Sequence, residues 1–234
     1  VIVIADIGSN WRNLDDCLEA IRIAKIEGVD AVKFQYFTHE KLYGVPGKMD
    51  GELPFECIPK LAKECKAQGI EFLCSVFDSE DIARIDPYVK MHKIASAEAD
   101  YVALRTKACV TKKPVLISCG CAHRYSIPVK RPFIPMACIA EYPTHDYPIE
   151  QILYFKEMGC KTYGMSDHNP YGDGYQIAKR MGCSYYEFHY NPLNITSPDK
   201  PHSIITWRRP RVKDLQPNME IARRRTLKGY YRVK

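Results

Sequence analysis

Two kinds of segment alternate along the chain: short apolar, β-branched runs and amphipathic stretches of ten residues or more. The runs predict strands at Ile2 to Ala5, Ala31 to Gln35, Glu71 to Ser75, His92 to Ala95, Val115 to Ser118, Ile134 to Ala140, Thr162 to Met165 and Tyr185 to His189. Between them, helical spacing of apolar positions predicts helices at about Leu14 to Glu27, Phe55 to Gln68, Ser79 to Asp86, Tyr101 to Thr111, Pro148 to Met158 and Gly174 to Met181. Four of these stretches run into a glycine, Gly28, Gly69, Gly159 or Gly182, the residue suited to a helix C-terminus.

Eight strands joined by helical crossovers make a (β/α)8 TIM barrel of the α/β class the economical arrangement. Parallel strands need right-handed crossovers, and closure leaves no edge. A doubly wound open sheet is the alternative fold. Two regions fit a regular barrel poorly. Cys121 to Pro132, with Pro128 inside it, is too short for a helix plus loops, so the crossover between strands five and six is expected to be degraded to a loop. After strand eight, Pro198, Pro201, Pro210 and Pro217 break up the closing helix. The expected organisation is a catalytic barrel over residues 1–206 and a basic C-terminal segment over 207–234.

Composition narrows this further. A chain of 234 residues, 46% hydrophobic and 26% charged, can bury one sizeable core and is too short for two full-size catalytic domains. No apolar run approaches the roughly 18 to 20 residues that cross a bilayer, and the chain opens on Val1-Ile2-Val3-Ile4-Ala5 instead of a basic leader. A soluble, cytoplasmic protein without a membrane partner is expected, and the start without Met fits a fragment or a processed form. The net charge of +6 is unevenly placed. Trp207 to Lys234 holds ten Lys or Arg against two acids, whereas residues 1–206 hold 24 basic and 26 acidic residues. A run such as Arg223-Arg224-Arg225 could touch nucleic acid, but no stacking-aromatic motif or recognition helix accompanies it, so a solvated tail or subunit contact is expected. The ten cysteines are scattered, without a Cys-x-x-Cys pair, which reads as reduced thiols in a cytosol-like compartment.

In such barrels the chemistry lies at the carboxyl ends of the strands. Nearly every predicted strand places a polar residue there, and two constellations stand out. His168 and His189 lie one crossover apart on neighbouring strands, with Asp167 and Glu187 beside them, and could meet at one divalent ion. A lone histidine at a strand end is more often merely hydrogen-bonded, so the argument rests on the pair. His39, His92, His123, His145 and His202 have no such partner and read as surface or loop residues, His202 being the first exception to consider. Lys33 and Lys93 are each the only charge in an apolar strand, and a buried ammonium without an anion costs several kcal/mol. The partner could be Asp6 or Glu98, or a bound anion for which Ser96, Ser118 and Ser166 supply further donors. Such a set suits a small phosphorylated, carboxylated molecule. The chain contains no P-loop or Gly-x-Gly-x-x-Gly, which argues against a nucleotide cofactor.

The segments Ala5-Asp6-Ile7-Gly8-Ser9-Asn10, Asp30-Ala31-Val32-Lys33-Phe34-Gln35, Lys93-Ile94-Ala95-Ser96-Ala97-Glu98, Ile117-Ser118-Cys119-Gly120, Glu141-Tyr142-Pro143-Thr144, Gly164-Met165-Ser166-Asp167-His168 and Glu187-Phe188-His189 resemble the catalytic barrel of the N-acetylneuraminate (sialic acid) synthase family. They follow that family's order and cover residues 1 to about 205. The resemblance implies an enzyme, a transferase that condenses phosphoenolpyruvate with the open-chain aldehyde of an N-acetylhexosamine and releases phosphate. It implies that His168 and His189 hold a divalent metal, typically Mn2+ with Mg2+ or Co2+ as substitutes. Lys33, Lys93, Ser96, Ser118 and Ser166 would hold phosphoenolpyruvate, while Gln35, Glu98 and Tyr142 would face the amino sugar. Asp199 resembles the acid of the family's Gly-Pro-Asp loop, with a part in proton transfer or water activation, or else it caps a turn. A homodimer is implied as well.

Departures from the family pattern fall mainly on the sugar side. Asp6 stands for the usual Glu, Trp11 for the His of Ser-Asn-His, Ala140 for an Asn that faces phosphoenolpyruvate, and Cys119 for the Thr of the Ser-Thr-Gly turn. The C-terminal antifreeze-like domain of the family does not occur in the chain. Two competing readings follow: a degenerate barrel that binds a ligand or partner without turnover, and a metal-dependent aldolase or hydrolase that would not consume phosphoenolpyruvate.

Overall fold

Each of the eight apolar runs forms a parallel strand, and the strands pair in chain order until the last meets the first in a closed barrel. The computed structural model describes residues 1–122 and 132–195. The strands are β1 (Ile2–Gly8), β2 (Ala31–Tyr36), β3 (Glu71–Val76), β4 (His92–Ile94), β5 (Val115–Ser118), β6 (Phe133–Cys138), β7 (Gly164–Asp167) and β8 (Tyr185–His189). Their helices are α1 (Leu14–Ile26), α2 (His39–Tyr43), α3 (Ile58–Gln68), α4 (Asp81–Ile85), α5 (Val102–Val110), α6 (Ile149–Glu157) and α7 (Gly174–Arg180). The open-sheet alternative is thereby excluded. The degraded crossover falls largely on residues 123–131, and the boundary at 206, the basic segment, Asp199 and His202 fall beyond residue 195. All of these lie outside the described residues.

Local chemistry sets the helix ends. Asn13 caps α1 by accepting the Asp16 N–H at 3.0 Å, which satisfies a donor that the first turn leaves unpaired. Gly69 closes α3 at φ 64°, a left-handed conformation that a side chain would strain. The sequence does not foretell α2, which is a single short turn inside the long connection between β2 and α3. The expected helix from Ser79 shortens to α4 and a 3-10 turn over Asp86–Tyr88, where Pro87 cannot supply an amide hydrogen.

The period of two along each strand divides its residues between two layers. Outward residues pack on the helices in one continuous core that includes Ile7, Phe34, Ile94, Ile117, Met165 and Phe188. Inward residues begin as an apolar plug of Ile4, Ala31, Leu73, Leu116, Ile134, Met136 and Tyr185. Two residues further along the same strands, the inward positions become Asp6, Lys33, Ser75, Ser118, Cys138 and Glu187. The plug seals the amino end of the barrel, and the polar layer faces the carboxyl end.

One sequence expectation needs correction. His92 is completely buried, and its Nε2 lies 2.9 Å from Asp86 Oδ1, so it is not a surface residue. It opens β4 at the closed end, where Lys113 also reaches Asp86 Oδ1 at 3.0 Å.

Candidate active site

Register brings the charged residues of the mouth together. Asp6 of β1 stands beside Lys33 of β2 on one side and His189 of β8 on the other. The Lys33 ammonium donates to Asp6 Oδ2 at 2.7 Å and to Ser75 Oγ at 3.0 Å. Asp6 Oδ2 also lies 3.6 Å from Nδ1 of His189. Burial disfavours the charge on Lys33, but Asp6 and Glu187 outweigh it and hold the ammonium above its ordinary pKa.

Lys93 meets a different partner from those foreseen. Its ammonium donates to Ser118 Oγ at 2.8 Å and to the Ile94 carbonyl at 3.2 Å, and it lies 3.5 Å from Glu187 Oε1. Glu187 in turn accepts the Ser166 hydroxyl at 3.0 Å. Burial opposes the Glu187 charge, yet Lys93 and Lys33 prevail and keep the carboxyl below its usual range. Glu187 was legible only as a strand-end acid. The signal that isolates the lysines, one charge in an apolar strand, also marks Glu187 within Tyr185-Tyr186-Glu187-Phe188-His189.

The imidazoles of His168 and His189 are neighbours, with ring centroids 5.0 Å apart. His168 Nδ1 lies 2.6 Å from the Ile139 carbonyl oxygen. A carbonyl oxygen only accepts, so Nδ1 carries a proton, and in the neutral ring Nε2 is then the atom with the lone pair. Tyr142 stacks on His168 at 3.9 Å between centroids and meets His189 edge-on at 5.3 Å. Cys138 Sγ lies 3.9 Å from both ring nitrogens of His168, but burial pushes its pKa up to about 11, so it presents a thiol. Among the described residues no group of three or more His, Cys, Asp and Glu side chains has the geometry of a metal cage. Two imidazoles, one with its tautomer fixed, suit an open site at which substrate or water completes the coordination.

The remaining residues separate into those near this cluster and those turned away. Ser96 Oγ accepts the Gly120 amide at 3.1 Å, and a side chain on Gly120 would press within 3.0 Å of Ala140 Cβ. Gln35 approaches Asp6 across Gly8: a Cβ on Gly8 would lie 3.6 Å from Gln35 Nε2 and from Asp6 Oδ1. Glu98 follows β4, and burial raises its pKa against the pull of Lys93. Asp167 points outward, away from the histidine pair. It accepts the Tyr186 hydroxyl at 2.8 Å and the Asn169 amide at 2.9 Å, and burial raises its pKa to about 6. The Trp11 indole donates to the Gly8 carbonyl at 3.0 Å, which ties it to its own loop.

A model of the NeuB family matches residues 20–215. The chain belongs to the NeuB family. With that membership it is a phosphoenolpyruvate-dependent synthase, as the resemblance implied. Among its relatives, the pseudaminic acid synthase of Campylobacter jejuni strain 81-176 is 28% identical, over 87% of this chain and 69% of its own length. The spore coat polysaccharide biosynthesis protein SpsE of Bacillus subtilis is 25% identical, over 87% of this chain and 63% of its own. The barrel superposes on the N-acetylneuraminic acid synthetase of Leptospira borgpetersenii with a TM-score of 0.80 at 22% identity, covering 100% of this chain and 87% of that one. It also superposes on a 3-deoxy-D-arabino-heptulosonate 7-phosphate synthase of Thermotoga maritima, with a TM-score of 0.68 at 12% identity, over 87% of this chain and 80% of that one, a likeness of fold alone.

Proposed function

We propose that this NeuB chain condenses phosphoenolpyruvate with the open-chain aldehyde of an N-acetylhexosamine-like aldose, giving a nonulosonic acid and phosphate. The observation that carries the reading is the convergence of Lys33, Lys93, Ser118, Ser166, His168 and His189 on one end of the barrel, in a chain 28% identical to a pseudaminic acid synthase. Lys33, Lys93, Ser96, Ser118 and Ser166 hold the enol phosphate, because ammonium and hydroxyl donors match its oxygens. Gln35, Glu98 and Tyr142 face the acceptor.

A divalent ion held by His168 and His189, Mn2+ with Mg2+ or Co2+ as substitutes, would polarise the aldehyde oxygen as a Lewis acid. Carbon 3 of the enol attacks the aldehyde carbon, and the new alkoxide takes a proton. Glu98, with its pKa raised by burial, is suited to keep that proton ready. Water then adds at carbon 2, and phosphate leaves with the former enol oxygen. Asp6 steadies Lys33 and His189 throughout, and Asp199 is assigned to proton transfer at the water step. The cytoplasm is the fitting compartment, given ten cysteines of which none is bonded to another.

The test is phosphate release in the presence of Mn2+, phosphoenolpyruvate and a panel of N-acetylated and plain hexoses. Release should require both carbon substrates. His168→Ala and His189→Ala should each lower it by about two orders of magnitude or more and weaken Mn2+ binding followed by paramagnetic resonance. Full activity in both variants would reject the metal role, and release without any aldose would reject the condensation.

A further inference from the structure

The two ion pairs of the mouth are unequal. Asp6, Lys33, Lys93 and Glu187 are only 3%, 2%, 2% and 4% exposed, and their two positive and two negative charges cancel. Lys33 is held by Asp6 at 2.7 Å, whereas Lys93 makes its short contacts to neutral oxygens and meets Glu187 only at 3.5 Å. Glu187 is anchored through Oε1 by the Ser166 hydroxyl, while its buried Oε2 accepts no hydrogen bond among the described residues. A buried carboxylate oxygen without a donor is costly, and with the longer contact to its lysine this carboxylate is held less tightly than Asp6.

An anion of two or three charges entering a neutral cluster gains little until one carboxylate yields. We propose that Glu187 is an internal stand-in for the substrate anion: it neutralises Lys93 until the enol phosphate arrives and is then displaced from the ammonium. This rests on the reading above, in which Lys33 and Lys93 hold phosphoenolpyruvate. Displacement frees two donors together, the Lys93 ammonium and the Ser166 hydroxyl. When phosphate is the product, return of the carboxylate to Lys93 competes with it and speeds its departure. Asp6 does not take this part, because its short contact to Lys33 and its place beside His189 fix it to the barrel wall.

Glu187→Gln keeps an acceptor for Ser166 and removes the charge. Calorimetric titration with inorganic phosphate should show this variant binding at least about tenfold more tightly than the parent, with product inhibition by phosphate strengthened to match. Unchanged or weaker binding by a folded Glu187→Gln protein, judged by its circular dichroism, overturns the proposal. If that variant does not fold, a crystal structure of the unaltered protein with phosphoenolpyruvate decides. Lys93 and Glu187 should then stand more than about 4 Å apart, beyond ion-pair contact, with Ser166 on the substrate. Persistence of the 3.5 Å contact while the anion sits on Lys93 overturns it as well. Lys93→Gln separates the two levels of the argument. Parent-like phosphate affinity in Lys93→Gln removes the anion site itself and this proposal with it. Weakened binding there, without tightening in Glu187→Gln, removes the stand-in alone.

Discussion

Lys33 and Lys93 show what burial does to a single charge: each ammonium in the barrel finds a carboxylate on a neighbouring or facing strand. The same rule operates at the closed end with the opposite sign. Burial lowers the His92 pKa below 6.5, and Asp86 only partly offsets this. As pH falls through about 6.5 the unfolded chain takes up a proton that the native His92 resists, so stability falls on acidification and the loss levels off below the native pKa. Urea unfolding from pH 7.5 to 5 should therefore show a decline that shrinks in His92→Gln; an identical slope in the variant would show that other groups set it. The lone charges in apolar strands made Lys33 and Lys93 legible in the sequence, and the one-crossover spacing at strand ends did the same for His168 and His189. Asp6, one of the two acids foreseen as a partner, does hold Lys33, but the partner of Lys93 was not legible, because only β8 register puts Glu187 between Ser166 and Lys93. His92 was misread for a similar reason, since an imidazole at a strand start gives no sign of whether its neighbour in space is water or Asp86.

At the scale of elements, the period-two and helical patterns locate all eight strands, and the glycines after α1, α3, α6 and α7 locate helix ends. What escaped is α2, a turn of five residues too short to show a period, whose order comes from Thr38 capping the Lys41 amide and from the ion pair of Lys41 with Asp81 at 2.6 Å. The loop that carries His168 also depends on a close approach with no sequence period. A Cβ on Gly174 at the start of α7 would fall on Asp167 Oδ2, inside the carboxylate that Tyr186 and Asn169 hold. Gly174→Ala should thus push α7 away from β7, costing about 1 to 3 kcal/mol in denaturant unfolding and, under the metal role proposed for His168, weakening Mn2+ binding. Parent-like stability would mean that Asp167 can turn aside at little cost.

For the whole molecule, closure is what turns separate sequence motifs into one site. Asp6 and His189 lie at nearly opposite ends of the described chain, yet β1 pairs with β8 in the register that sets them side by side. Among the described residues no helix is long and apolar enough to cross a membrane, and the apolar mass instead fills the plug and the outer core. The apolar plug occupies the amino end of the barrel, so the proposed meeting of phosphoenolpyruvate with an aldehyde belongs to the polar carboxyl end. The most direct test is to follow [3-13C]phosphoenolpyruvate by carbon magnetic resonance during incubation with Mn2+ and the aldose panel. The account predicts that the labelled methylene becomes the CH2 of a new sugar acid as phosphate appears. Unchanged phosphoenolpyruvate, or labelled pyruvate alone with every aldose, would contradict it.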